Sequence, residues 1–431
     1  MTKQKVSFFW FRRDLRLEDN TGLYHALQSE FPVIPLFIFD EDILEHLPKN
    51  DARVSFIYDS LQKINTELNA LQSSVLIRKG KTIEVWKSLI SEFDIETVFY
   101  NKDYEPFAIN RDNAIGALLK ENNIACTAFK DHVIFEEKEI TKSDGLPYTV
   151  YTPYKNKWLE KYKLSGAVPE YDTAPFLSNF AKNNFPFPDL AAIGFERSTI
   201  KVQPHNLSQI TNYKETRDFP ALDSTSYLSP HLRFGTVSIR KLVNWANRKN
   251  QTFLSELIWR EFFIQILFSF PHCVNHNFKP AYDGIEWRNN EEDFKRWCSG
   301  TTGYPMVDAG MRQLNETGYM HNRVRMVVAS FLCKHLLINW QWGEAYFAEK
   351  LLDFELASNV GNWQWAAGTG CDAAPYFRVF NPEIQQKKFD EKGQYIRKWI
   401  PEFDLGYNDP MVDHAFARDR AIATYKKGIL K

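Results

Sequence analysis

The stretch VIPLFIFDEDILEHLPKNDARVSFIYDSLQKINTELNALQSSVLIR, residues 33–78, decides the fold. Its ends are short β-rich runs, VIPLFIF (33–39) and SVLIR (74–78). Between them, over 51–72, Val54, Ile57, Tyr58, Leu61, Ile64, Leu68 and Leu71 recur at three- and four-residue steps, the period of a helix with one apolar face. Strand, helix and strand in that order make a crossover unit, and a crossover joins parallel strands. The alternation extends outward to VSFFWF (6–11) on one side and to ETVFY (96–100) and CTAF (126–129) on the other. We therefore expect an α/β N-terminal domain, a doubly wound parallel sheet with helices on both faces, over residues 1–130.

Beyond it the pattern changes. Residues 131–200 gain proline, glycine and isolated aromatics, as in GLPYTVYTPYKNKW (145–158) and NNFPFPDLAAIGF (183–195), and read as a long linker crossing the surface. From 201 to 431 strand signals vanish and helical patterns take over, so the second domain is expected to be all-α. A chain of 431 residues is large enough for two cores. With 53 basic and 54 acidic side chains, any nucleic-acid surface must be a local patch, since there is no global field. Cys126, Cys273, Cys298, Cys333 and Cys371 are odd in number and never in a CxxC spacing, so neither a disulfide framework nor a metal site is expected and the compartment reads as reducing. The start, MTKQKVSFFWFRRDLRLEDN, follows a short apolar run at once with charges. That is neither an export signal nor a spanning helix, so the expectation is a cytoplasmic protein without a membrane partner.

The C-terminal half carries the unusual residues, including nine of the 12 tryptophans. In ASNVGNWQWAAGTGCDAAPYF (357–377), Trp363 and Trp365 lie at i and i+2, pointing to roughly opposite sides of a helix or strand. They should serve two neighbouring compartments. TFLSELIWREFFIQILFSFP (252–271) is apolar nearly all round yet places Glu256, Trp259 and Arg260 on one face. Either Glu256 and Arg260 staple the helix, or a pocket uses the carboxylate and the indole. In GYMHNRVRMVVASFLCKHLL (318–337), Asn322, Arg325 and Met326 share a face with His321 and Arg323 beside it. This suits an anionic or hydrogen-bonding ligand, or a solvated basic turn. STSYLSPHLRFGTVS (224–238) puts Thr225, Ser226 and Ser229 before Pro230, with Ser229 as the expected N-cap of a helix that is either simply capped or an anion site. GKT at 80–82 lacks the leading glycine of a phosphate loop, and His272 and His276 have no third ligand in view, so both are set aside.

Taken together, WFRRDLRLEDN (10–20), TSYLSPHLRFG (225–235), ELIWREF (256–262), GYPMVDAGMRQLNETGYMHNRVRM (303–326), DFELASNVGNWQWAAGTGCDAAPYFRVFNP (353–382) and PMVDHAFARDRAIATYK (410–426) resemble the photolyase and cryptochrome flavoproteins. The likeness is greatest to class I cyclobutane pyrimidine dimer photolyases and runs along nearly the whole chain in motif order. It implies an antenna domain, a linker and a helical domain that binds FAD and DNA. It implies FAD, active in its reduced form, held by Tyr213, Thr225, Ser226, Leu228 and Ser229 along its phosphates and ribityl chain. Arg325, Asp353, Glu355 and Asn359 would stand at its ring, although Glu355 replaces the Asp of many members. Trp363, Trp340 and Trp287 match the family's electron relay. Trp365 and Trp259 match the slot for the lesion, with Met326 nearby and Glu256 and Asn322 bonding the pyrimidine edges. Arg217 and Arg323 match contacts to DNA.

The implied function is light-driven splitting of cyclobutane dimers in DNA, an electron passing from the excited reduced flavin to the dimer and returning. Extrusion of a base is needed for such chemistry, and a damaged base costs least to extrude. The alternative is a cryptochrome-type blue-light receptor without repair. Asn322 and Met326 stand where (6-4) enzymes carry histidines, and Asn359 where plant cryptochromes carry Asp. Phe107, Ala108 and Val274 depart from the folate-binding pattern, which leaves a second antenna chromophore of open identity. A monomer is expected.

Overall fold

The computed structural model describes residues 4–407 and 409–429. The chain forms two compact units that interleave along it. One is built from the chain up to Glu139 with Leu159–Pro204 and Leu228–Arg248, the other from Ile140–Trp158, His205–Tyr227 and Lys249 onward.

The first unit carries five strands, β1 (Lys5–Phe11), β2 (Val33–Asp40), β3 (Leu76–Gly80), β4 (Asp94–Asn101) and β5 (Ala125–Phe129). All pair in parallel, in the order β3-β2-β1-β4-β5. Alternation along β1 supplies two cores, because successive side chains face opposite sides of a sheet. Phe9 and Phe11 enter one apolar cluster and Phe8 and Trp10 the other. The helix read at 51–72 runs Ala52–Asn69, and Asp51 caps it by accepting the Arg53 N–H. The doubly wound sheet is thus the observed fold.

In such a sheet the strand order reverses at β1, and the crevice beyond the carboxyl ends of β1 and β4 is the expected ligand position. Arg12, immediately after β1, crosses it. Its guanidinium donates to the Asn101 carbonyl and to Asp112 at 2.6 Å and lies 4.6 Å from the Tyr100 ring centre. Elsewhere in this unit Asp131 accepts from Arg16 at 2.7 Å and Arg240 at 2.9 Å, which ties the late segment Leu228–Arg248 to the sheet.

The second unit is helical, with no β-strand among its described residues. The stretch read as a surface linker contains a helix, Tyr151–Ser165. Tyr154 and Trp158 on it are at most 1 % exposed, and the Trp158 indole donates to Glu261 at 2.6 Å. Tyr151, Tyr154 and Trp158 stand at helical spacing, which the flanking prolines masked, and Pro153 falls in the first turn where its missing N–H costs nothing. The Ser229 expectation also changes. The helix begins at Leu228 and runs to Phe234, so Ser229 lies inside its first turn, and the residue before the helix is Tyr227.

Candidate active site

Segments of the second unit border a cavity of about 110 Å³. The helix Asn322–Ser330 brings Asn322, Arg325 and Met326, the loop after the helix Trp340–Lys350 brings Asp353 and Glu355, and the helix Leu356–Ala367 brings Asn359, Trp363 and Trp365. His321 caps the first of these helices by accepting the Arg323 N–H, and burial takes its own pKa down to about 4. With that imidazole neutral, Arg325 is a cation that borders the cavity itself. Arg325 forms a forked pair with Asp353, at 2.9 and 3.2 Å, a geometry that fixes both side chains.

Asn359 has its amide committed. Nδ2 donates to the Glu344 carboxylate at 2.8 Å and to the Glu344 carbonyl at 3.0 Å, which leaves Oδ1, an acceptor, as the group available to a ligand. Burial pushes the Glu344 carboxyl up, against the opposing bond from Asn359. Apolar Phe347, Leu351 and Ala366 complete the wall. Trp363 and Trp365 border this same cavity, so their separation is one of depth where two compartments were expected. Trp363 is 2 % exposed and joins the core, whereas Trp365 is half-buried.

A second constellation stands on the helix Gln251–Ser269, which Asn250 caps. Glu256 and Arg260 do not staple it. Glu256 accepts from Arg217 at 2.6 Å, and Arg260 pairs with Glu355 at 2.9 Å, linking this helix to the cavity wall. Arg217 also lies over the Tyr213 ring at 5.2 Å. Arg323 pairs with Asp218 at 2.8 Å and rests over Phe389 at 4.4 Å. Trp259 stacks on Tyr151 at 3.5 Å. Thr225 and Ser226 are half-buried in the loop ending at Tyr227. Leu228, buried, and Ser229, exposed, belong to the other unit.

Trp340 shares a core with Trp363, and Trp287 packs against that core and against a second, smaller cluster. Gly343, on the helix Trp340–Lys350, lies so close to the Trp363 ring that an added Cβ would meet it at 2.1 Å. Trp340 is one turn earlier on that helix, on the same face, and its indole donates to Asn277 at 2.9 Å. Trp287 is half-buried and edge-on to Tyr425 at 5.7 Å.

Residues 7–175 match the model of DNA photolyase and residues 253–405 that of the FAD binding domain of DNA photolyase. The deoxyribodipyrimidine photo-lyase of Agrobacterium fabrum is 35 % identical over 96 % of each chain. The chain belongs to the DNA photolyase family. Among solved structures it is similar to a class III photolyase from Agrobacterium tumefaciens, with TM-score 0.88 and 34 % identity over 100 % of this chain and 99 % of that one. It is also similar to an archaeal photolyase from Sulfolobus tokodaii with two FAD molecules, TM-score 0.84, 34 % identical over 98 % of this chain and 100 % of that one.

A photolyase flavin fits the donor set described. A flat ring with polar edges and apolar faces can be met by polar groups at its rim and apolar side chains against its faces, and the cavity offers Arg325, Asp353 and Asn359 together with Phe347, Leu351 and Ala366. Sequence reasoning missed several residues that pack in or around this cavity. Glu344 and Phe347 carry no signal beyond helical period. Trp297, fully buried and 6.1 Å from Trp363, reads in sequence as ordinary core. Tyr151 lay hidden in the supposed linker.

Proposed function

We propose that this chain is a light-driven deoxyribodipyrimidine photo-lyase that splits cyclobutane pyrimidine dimers in DNA. The observation that carries the reading is convergence: Asn322, Arg325, Met326, Asp353, Glu355, Asn359, Trp363 and Trp365, expected from separate motifs, border one cavity.

A bound reduced FAD supplies the photoexcited electron. Arg325, fixed by Asp353, sets a positive charge beside the ring position, and the Asn359 oxygen offers an acceptor at the ring edge. Tyr213, Thr225 and Ser226 hold the phosphate and ribityl part. Trp363, buried at the cavity wall, passes electrons inward from Trp340 and Trp287. Trp259 and the half-buried Trp365 stack the extruded bases, with Met326 beside them, since aromatic stacking accepts any base. Glu256 and Asn322 hydrogen-bond the pyrimidine edges, and Glu256 is oriented in advance by Arg217, so little reorganisation accompanies charge development. Arg217 and Arg323 add cations for phosphate, which binds without regard to sequence.

Anaerobically reduced protein under blue light should restore thymine absorbance to dimer-containing oligonucleotide. Identical absorbance in lit and dark samples would reject the reading. The organisation into an antenna domain (1–130), a linker (131–200) and a catalytic domain (201–431) belongs to the same proposal, as does a second chromophore. The two FAD molecules of the Sulfolobus relative support the latter, and an action spectrum checks it. A cytoplasmic monomer completes the reading and is tested by fractionation and sedimentation.

A further inference from the structure

We propose that Tyr151 belongs to the substrate platform: its ring backs the Trp259 indole and fixes the plane on which an extruded base stacks. The proposal rests on the reading of Trp259 as a stacking surface.

The two rings are nearly parallel, 9° apart, with centroids 3.5 Å from one another. That is closer than the usual 4.5–7 Å of aromatic pairs, roughly full face-to-face contact. An indole has two faces. Tyr151 takes one, Phe263 lies near-parallel to the indole at 5.5 Å and 28°, and a stacked base takes the part of the ring that these two leave exposed.

Tyr151 is held at both ends. Its backbone N–H donates to the Asp372 carboxylate at 3.0 Å, and its hydroxyl donates to the Ser255 carbonyl at 2.7 Å. Ser255 lies one turn before Trp259 on the same helix and next to Glu256, so the bond fixes the ring to the element that carries both groups assigned to the lesion. Phe262 stands edge-on to Trp259 at 5.6 Å and to Tyr151 at 5.8 Å, which stops the pair from sliding. At 7 % exposure Tyr151 contributes little surface of its own. Its effect is to hold the half-buried indole in one orientation before a base arrives, so that binding does not have to order it.

The test uses full-length, flavin-loaded protein and dark binding, read by fluorescence anisotropy, to an oligonucleotide with one thymine cyclobutane dimer and to its undamaged twin. Tyr151→Phe keeps the stacked ring and gives up only the Ser255 bond, so its loss for the damaged strand should be smaller than that of the non-aromatic variants, about threefold or less. Tyr151→Leu and Tyr151→Met fill the volume without a flat ring, and each should weaken binding of the damaged strand about tenfold. Binding of the undamaged strand and the bound flavin should be retained, and the loss should vanish at saturating DNA. Native affinity in both non-aromatic variants, with Trp259→Ala impaired, would show Tyr151 to be filler and overturn the proposal. Tighter binding would overturn it too, because the ring would then occupy the place of the base. Unimpaired binding by Trp259→Ala would remove the stacking reading itself and the proposal with it.

Discussion

At the scale of single residues, Asn359 shows how a neighbour decides what a side chain offers. Its N–H₂ is spent on Glu344, so a ligand meets the oxygen. Asn359→Asp would place two carboxyls within hydrogen-bond distance, and like charges at that separation cannot both ionise. The pair, one member of which burial already pushes up, would retain a proton above the ordinary carboxylate range. The expected outcome is a new pH-dependent change in the flavin absorption spectrum, lying above the ordinary carboxylate range and absent from the parent. A spectrophotometric titration of both proteins checks it.

Lys334 gives a second residue-scale prediction. Only 1 % exposed, it donates to the Ala367 carbonyl at 2.7 Å, where the helix Leu356–Ala367 ends, and lies 3.5 Å from the Tyr425 ring centre. These contacts satisfy a cation at a helix C-terminus. Burial nevertheless brings its pKa down to about 7 from 10.5. Between those values the unfolded chain binds the extra proton, so stability is greatest above the unfolded pKa and is lost as pH falls through about 7. The slope is about 1.4 kcal/mol per pH unit for one proton. Lys334→Met should flatten that segment of the curve of unfolding free energy against pH, measured by chemical denaturation.

Between elements, close approach of helices is what builds the cavity wall. Gly343 lets the helix Trp340–Lys350 lie against the Trp363 ring, and Gly361 lets the helix Leu356–Ala367 lie against Phe263, where an added Cβ would come within 2.2 Å. Gly343→Ala must therefore displace Trp363 or separate the helices. Overpacking of this kind costs about 1–3 kcal/mol. The expected result is a lowered melting temperature together with slower photoreduction of bound flavin, read by transient absorption. An unchanged pair of values would refute the contact.

The same elements show what the sequence makes legible. The short continuous apolar runs of β1 and β2, buried on both faces, and the helical period of 51–72, set by burial on one face, are local patterns, so the sheet could be read directly. The cavity residues were legible through motif order along the chain, because periodicity alone cannot tell a Trp363 beside a cofactor from one in a core. Gly343 against Trp363, Glu344 against Asn359 and Tyr151 against Trp259 were not legible. Each depends on which distant segment arrives, and Tyr151 meets an indole 108 positions later in the chain.

For the whole molecule, the two units are each assembled from separated pieces of chain, and buried charge specifies how the pieces of the first unit join. Asp131 is 1 % exposed and accepts from Arg16 and Arg240, and Arg240 also reaches Asp19 at 3.1 Å. Burial alone would raise the Asp131 pKa, but the two guanidiniums outweigh it and hold the carboxyl well below its ordinary 3.8. A carboxyl depressed in the folded state contributes stability that is present above the unfolded pKa and is lost as pH falls through the folded one. The parent should therefore lose stability as pH drops below about 4. Asp131→Asn leaves two buried guanidiniums without this counter-charge, and breaking a buried pair on one side costs about 3–5 kcal/mol. The variant should melt earlier at neutral pH and show a shallower further decline in acid, followed by circular dichroism. Equal melting at neutral pH would mean that Asp19 alone compensates both arginines, and that the late segment is joined to the sheet by apolar packing.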